Sequence, residues 1–103
     1  MKAILNGLRY DTDKAVLIGK YYTSDMSRSD FQWWEAGLWR TPRVGRYFLA
    51  GSGGPMTMFA HRVPNGSMGG SKVIPMSAEE AREWADRYLT TAEVEAAFAI
   101  EDA

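Results

Sequence analysis

A chain of 103 residues with no cysteine, one histidine and a net charge of −1 has room for one domain, residues 1–103. It excludes a disulfide scaffold, thiolate metal sites and the usual histidine-based catalytic sets. The 46% apolar and 13% aromatic content is too high for a disordered chain. No apolar run nears the ~20 residues that cross a bilayer, and the turn signal at Asn6-Gly7 comes too early for a signal peptide. A cytoplasmic protein that does not engage membranes is therefore expected. The charge is unevenly placed. Residues 1–76 hold ten Lys/Arg against five Asp/Glu, a balance of +5, whereas residues 77–103 hold two against eight, a balance of −6. Such a polar object steers partners through its field.

Lys2 to Leu5 and Leu8 to Tyr10 flank Asn6-Gly7, whose residues supply the positive φ angles of a type I′ turn, so a hairpin is expected. Asp11-Thr12-Asp13 can cap a short helix through Ala15, Val16 and Ile18, with Gly19 placed to end it. Lys20 to Thr23 then reads as a strand and Ser24 to Asp30 as a loop. Phe31 to Thr41 is aromatic and strand-like, but its apolar residues do not alternate cleanly, and Gly37 is the expected position of a bulge. A turn at Thr41–Gly45 leads to a return strand over Arg46–Ala50, broken by Gly51-Ser52-Gly53-Gly54-Pro55. Alternation at Met56, Met58 and Ala60 suggests another strand, running to Val63. Pro64 to Gly70 reads as a flexible loop, and Lys72 to Pro75 as a short strand that its proline confines to an edge or an end.

The clearest signals lie at the C-terminus. Ser77-Ala78-Glu79-Glu80 is a capping box, followed by Ala81, Trp84, Ala85 and Tyr88 at i, i+3, i+4 and i+7. Thr90-Thr91-Ala92-Glu93 repeats the box, with Leu89 and Val94 at the positions of a hydrophobic staple. The expected fold is thus α+β: a mainly antiparallel sheet, a short N-terminal helix, and one or two C-terminal helices packed on one face. The opposite face is left partly open.

No metal site, cofactor site or catalytic set emerges. Gly51-Ser52-Gly53-Gly54 lacks the following helix and the Lys-Ser/Thr of a phosphate loop, and His61 has no orienting acid or nucleophile of a known signature beside it. An enzyme is not expected. Two candidate partner-binding groups remain. Arg40, Arg43 and Arg46 surround the Pro42–Gly45 turn, and Trp33, Trp34 and Trp39 lie on the strand leading to it, a composition that interface hot spots favour. Glu79, Glu80 and Glu83, with Asp86, form an acidic helix face, although the capping box and the helix dipole already account for the glutamates.

Three blocks, in order, carry a resemblance: Met1–Gly7 with Arg9-Tyr10-Asp11-Thr12; Gly45-Arg46-Tyr47-Phe48-Leu49 with Gly51, Gly53 and Gly54; and Ile74-Pro75-Met76-Ser77 with Glu79-Glu80-Ala81 and Trp84-Ala85. Together they resemble a group of small mobile-element and prophage proteins that includes anti-CRISPR inhibitors. Trp33-Trp34 and the Thr41-Pro42 turn lie outside those blocks, and the resemblance brings no site motif with it. It implies a stoichiometric inhibitor whose partner is a Cas effector protein or complex of the host, blocked in DNA binding or activation. Either face could serve: the acidic helix by imitating a row of phosphates, or the arginine hairpin by gripping an acidic or apolar patch. The hairpin ranks first for affinity, because helix carboxylates contribute mostly steering. The alternative is a nucleic-acid-binding accessory protein of a mobile element, against which the near-neutral net charge argues.

Overall fold

The N-terminal hairpin forms as its turn residues require. In a computed structural model that describes residues 1–103, β1 (Lys2–Leu5) pairs antiparallel with β2 (Leu8–Asp11), and Asn6 and Gly7 turn between them at φ 52° and 77°. The expected short helix after it is absent. Asp11 instead closes a turn, its carboxylate accepting from Asp13 N at 3.0 Å and its carbonyl from Lys14 N and Ala15 N. The chain then enters β3 (Val16–Tyr22) directly. Two β-branched residues, Val16 and Ile18, suit a strand better than a helix, and Gly19 lies within that strand rather than at a helix end.

β4 (Trp34–Arg40), β5 (Tyr47–Gly53) and β8 (Gly70–Met76) complete a four-stranded antiparallel sheet in the order β3-β4-β5-β8. The β4–β5 register is unbroken from Trp34↔Gly53 to Arg40↔Tyr47. The bulge expected at Gly37 lies across the ladder instead, between Leu17 and Gly19 of β3. β5 also continues through Gly51 and Gly53, where a strand break was expected. These glycines are explained by close approach: a Cβ on Gly51 would run into the Glu35 carbonyl oxygen.

Met56 to Ala60 is not a strand. Thr57 ties the segment into local turns, its hydroxyl donating to Gly54 O at 2.8 Å and accepting from Phe59 N at 3.2 Å, and Phe59 is fully buried. The strand begins only at β6 (His61–Val63). It pairs with β7 (Gly66–Met68), so the expected loop over Pro64–Gly70 is largely a second hairpin. Pro75 falls on the edge strand β8, as expected. The other edge, β3, carries the bulge and Lys20. Both edges are blunted against further strands, and a partner is left with the faces and the ends.

Strand parity places Trp34, Ala36 and Leu38 of β4 and Leu49 of β5 on one face, under α1 (Ala78–Tyr88) and α2 (Thr91–Ala97). With Phe59, Ala81, Trp84, Ala85 and Val94 they form the core. Both capping boxes are present: Ser77 Oγ accepts from Glu80 N at 3.1 Å while Glu80 Oε1 accepts from Ser77 N at 2.9 Å, and Thr90 and Glu93 reciprocate in the same way. Ser77→Ala should lower stability by about 0.5–2 kcal/mol by orphaning an amide at the helix start. Urea denaturation checks this, and an unchanged midpoint would mean that the cap contributes nothing.

Candidate functional site

β4 carries aromatics at its start and an arginine at its end, and the structure separates them. Trp34 is a core residue, its ring centroid 5.0 Å from Tyr88, 5.1 Å from Tyr21 and 6.3 Å from Trp84. Trp33, just before the strand, is also buried, and the guanidinium of Arg28 lies 4.7 Å from its ring. Arg28 in turn reaches Glu35 at 3.6 Å. Six residues of strand, roughly 20 Å at the usual rise, divide Trp34 from Arg40. Trp33 and Trp34 therefore do not form an exposed surface beside the arginines, because inward parity claims Trp34 and a local cation covers Trp33; Trp39, next to Arg40 in the chain, is half-buried on the opposite face.

Arg40 takes the helix side of the sheet, yet it still borders the turn, its Cδ lying 3.7 Å from where a Cβ on Gly45 would stand. Arg40 shares the side chain parity of Trp34, Ala36 and Leu38. It lines a small cavity with Val16, Leu17, Ile18, Glu93, Ala96 and Ala97, on the helix side of the sheet. Arg43 and Arg46 are both exposed and belong to the turn after β4, which Thr41 braces: Thr41 N donates to Arg46 O and Arg46 N to Thr41 Oγ1, each at 2.8 Å. Gly45 completes this turn at φ 74°.

The folded chain supplies the two arginines with new neighbours. The N-terminal hairpin docks on the face opposite the helices through Tyr10, whose ring meets Phe48 edge-on at 5.3 Å. That contact brings Arg9 and Lys14 alongside Arg43 and Arg46 around one open groove of about 480 Å³. Leu8, Pro42 and Val44 supply apolar surface to the same groove, Val44 being 74% exposed. Its acidic residue, Asp11, is buried, with Lys2 at 4.0 Å. Arg9 and Lys14 had no signal in the sequence: they flank a hairpin whose docking against the Pro42–Gly45 turn is a tertiary event.

Glu79, Glu80 and Glu83 are all exposed on α1, as is Asp86, with Arg82 and Arg87 interspersed. Glu80 is committed to the cap. The helix lies across the sheet from the docked hairpin, so the acidic face of α1 and the groove of Arg9, Lys14, Arg43 and Arg46 do not share a surface. His61 is exposed, its Nε2 3.3 Å from Ser71 O, with no carboxylate bonded to its ring. No cluster of three or more His, Asp or Glu side chains converges as a metal ion would need, and no helix is long and apolar enough to cross a membrane. No known family model, curated protein or solved structure matches this chain.

The arrangement can present cations and apolar groups together, and nothing in it positions a proton or a nucleophile at His61. His61→Ala should therefore leave the biological activity intact. Loss of activity in a variant with unchanged circular dichroism and melting temperature would contradict this.

Proposed function

We propose that this chain is a non-catalytic binding protein, an inhibitor of the anti-CRISPR type that engages a host Cas effector complex stoichiometrically and blocks its DNA binding or activation. One observation carries the mode of binding: Arg9, Lys14, Arg43 and Arg46 converge with Leu8, Pro42 and Val44 around a single groove. Arginine beside apolar surface is the composition of protein hot spots, where desolvated cations meet acidic partners. The assignment to Cas effectors rests on the three resembling sequence blocks. The acidic α1, on the far side of the sheet, adds long-range steering and leaves the groove as the anchor.

The second reading, a nucleic-acid-binding accessory protein, draws on the same four cations. Against it, single-strand binders stack bases on aromatics beside their cations, and no aromatic side chain lines this groove. A phosphate backbone also has little use for the exposed Val44 and Leu8 at the groove.

Biolayer interferometry against purified effector complexes, with and without guide RNA, tests the proposal. Arg43→Glu with Arg46→Glu should weaken the complex by about 2 kcal/mol or more, roughly 30-fold, through both slower association and faster dissociation. Glu79→Lys with Glu83→Lys should change mainly the association rate and its salt dependence, once folding is confirmed, since Glu79 and Glu83 also serve the helix dipole. The inverse pattern would make the acidic helix the anchor. Binding to DNA alone, with an affinity that falls steeply as salt rises, would favour the second reading, and indifference of both variant pairs would remove both faces from consideration.

A further inference from the structure

The sheet face that carries the docked hairpin is only partly covered, and its side chains fall in rows that the register defines. Tyr22, Glu35 and Ser52 form one row, Lys20, Gly37 and Ala50 the next, and Leu17, Trp39 and Phe48 the third. The hairpin covers Phe48 through Tyr10, and Met1 and Thr12 close the adjoining end. The middle row is recessed, since Gly37 has no side chain and Ala50 only a methyl group. The result is a trough of about 300 Å³, at the lower end of the range of small-ligand sites.

Gly37 is required for this shape. A Cβ there would meet Trp39 Nε1 at 2.8 Å and Leu17 Cδ1 at 3.2 Å, so the glycine lets the indole lie down over the strand and bring its N–H to the trough wall. Tyr22, 62% exposed, stands on the other side. The Trp39 indole laid over Gly37, with Tyr22 beside it, gives a flat ring two aromatic surfaces to contact.

The charges favour an anion. Glu35 is already occupied, by Arg28 at 3.6 Å and by the Ser52 hydroxyl at 3.5 Å. Lys20 is exposed, and the chain's two ion pairs, Lys2–Asp11 and Arg28–Glu35, leave it without a partner. Lys20 faces Gly37 directly, so Trp39 is its diagonal neighbour on the adjacent strand, roughly 7–8 Å away. A ribose separates a base from its phosphate by a comparable span.

We propose that this trough, built by Lys20, Tyr22, Gly37, Trp39 and Ser52, is a binding site for a nucleoside monophosphate, with the base against Trp39 and Tyr22 and the phosphate at Lys20. It lies apart from the groove of Arg43 and Arg46 and does not depend on the function assigned to that groove.

The test titrates AMP into the ¹⁵N-labelled chain and follows the indole N–H resonance of Trp39, assigned with Trp39→Phe. A saturable shift at millimolar AMP or below is expected, with adenosine and inorganic phosphate each at least about tenfold weaker. Lys20→Gln, an exposed substitution, should weaken AMP by about tenfold or more without moving the melting temperature. Arg43→Glu with Arg46→Glu should leave the titration unchanged, which separates this site from phosphate capture in the arginine groove. Absence of a saturable shift, equal binding of adenosine or phosphate, indifference to Lys20→Gln, or loss of the shift in the arginine variant would each overturn the proposal.

Discussion

Trp34 occupies the position where the sheet, the Met56–Ala60 segment and α1 meet. Its ring packs against Tyr21 of β3, Tyr88 and Trp84 of α1, and Phe59 of the turn-rich segment, at centroid distances from 5.0 to 6.4 Å. Once this side chain points toward the helices, strand alternation fixes the rest of β4. Ala36 and Leu38 follow it inward, and Glu35, Gly37 and Trp39 turn to the opposite face. The unbroken β4–β5 register then carries the choice to Leu49 on one side and to Phe48, Ala50 and Ser52 on the other. Phe48 in turn gives Tyr10 its contact, and through Tyr10 the N-terminal hairpin reaches the arginine turn. A slip of one residue in β4 would exchange the two faces and dissolve the basic groove together with the core. The cluster has one flaw: Trp84 Nε1 is buried with no hydrogen-bond partner, at a cost of about 1–3 kcal/mol.

Much of this was legible in the sequence because it is encoded locally. Asn6-Gly7, the two capping boxes and the i, i+3, i+4, i+7 spacing of Ala81, Trp84, Ala85 and Tyr88 each act within a few residues, and each produced the expected element. The misreadings share a different cause. Asp11 to Ala15 offers capping residues, and only the β-branched residues and the pairing with β4 decide that a strand follows. Gly51 and Gly53 look like a break because glycine is usually read as one, and their actual reason is the passage of a neighbouring backbone. Met56 to Ala60 alternates like a strand, yet the Thr57 hydroxyl captures the local amides first. In the candidate site, Arg43 and Arg46 were visible, with Arg40, as a group around the Pro42–Gly45 turn. The place of Arg40 beside β3 and α2, the burial of Trp33 and Trp34, and the recruitment of Arg9 and Lys14 all depend on contacts between distant segments.

The charge asymmetry acquires a spatial meaning in the fold. The acidic C-terminal residues ride on helices covering one face, and the cations of the N-terminal hairpin and the β4–β5 turn gather at the other. A molecule of this kind turns in a partner's field before contact, and what it then presents is a groove where cations stand beside exposed apolar side chains. Both sheet edges are blunted, by Pro75 on β8 and by the bulge and Lys20 on β3, which disfavours strand addition. Of the tryptophans expected at an interface, Trp34 belongs to the core and Trp33 is buried beside Arg28, and neither lines that groove.

Hydrogen–deuterium exchange of the chain, free and mixed with purified Cas effector complexes as the proposed partners, tests the central claim most directly. If the basic groove is the anchor, the complex should slow exchange in residues 8–15 and 41–46 while leaving the amides of α1, residues 78–88, unchanged. Protection confined to α1, with the hairpin and the arginine turn exchanging as in the free chain, would contradict it.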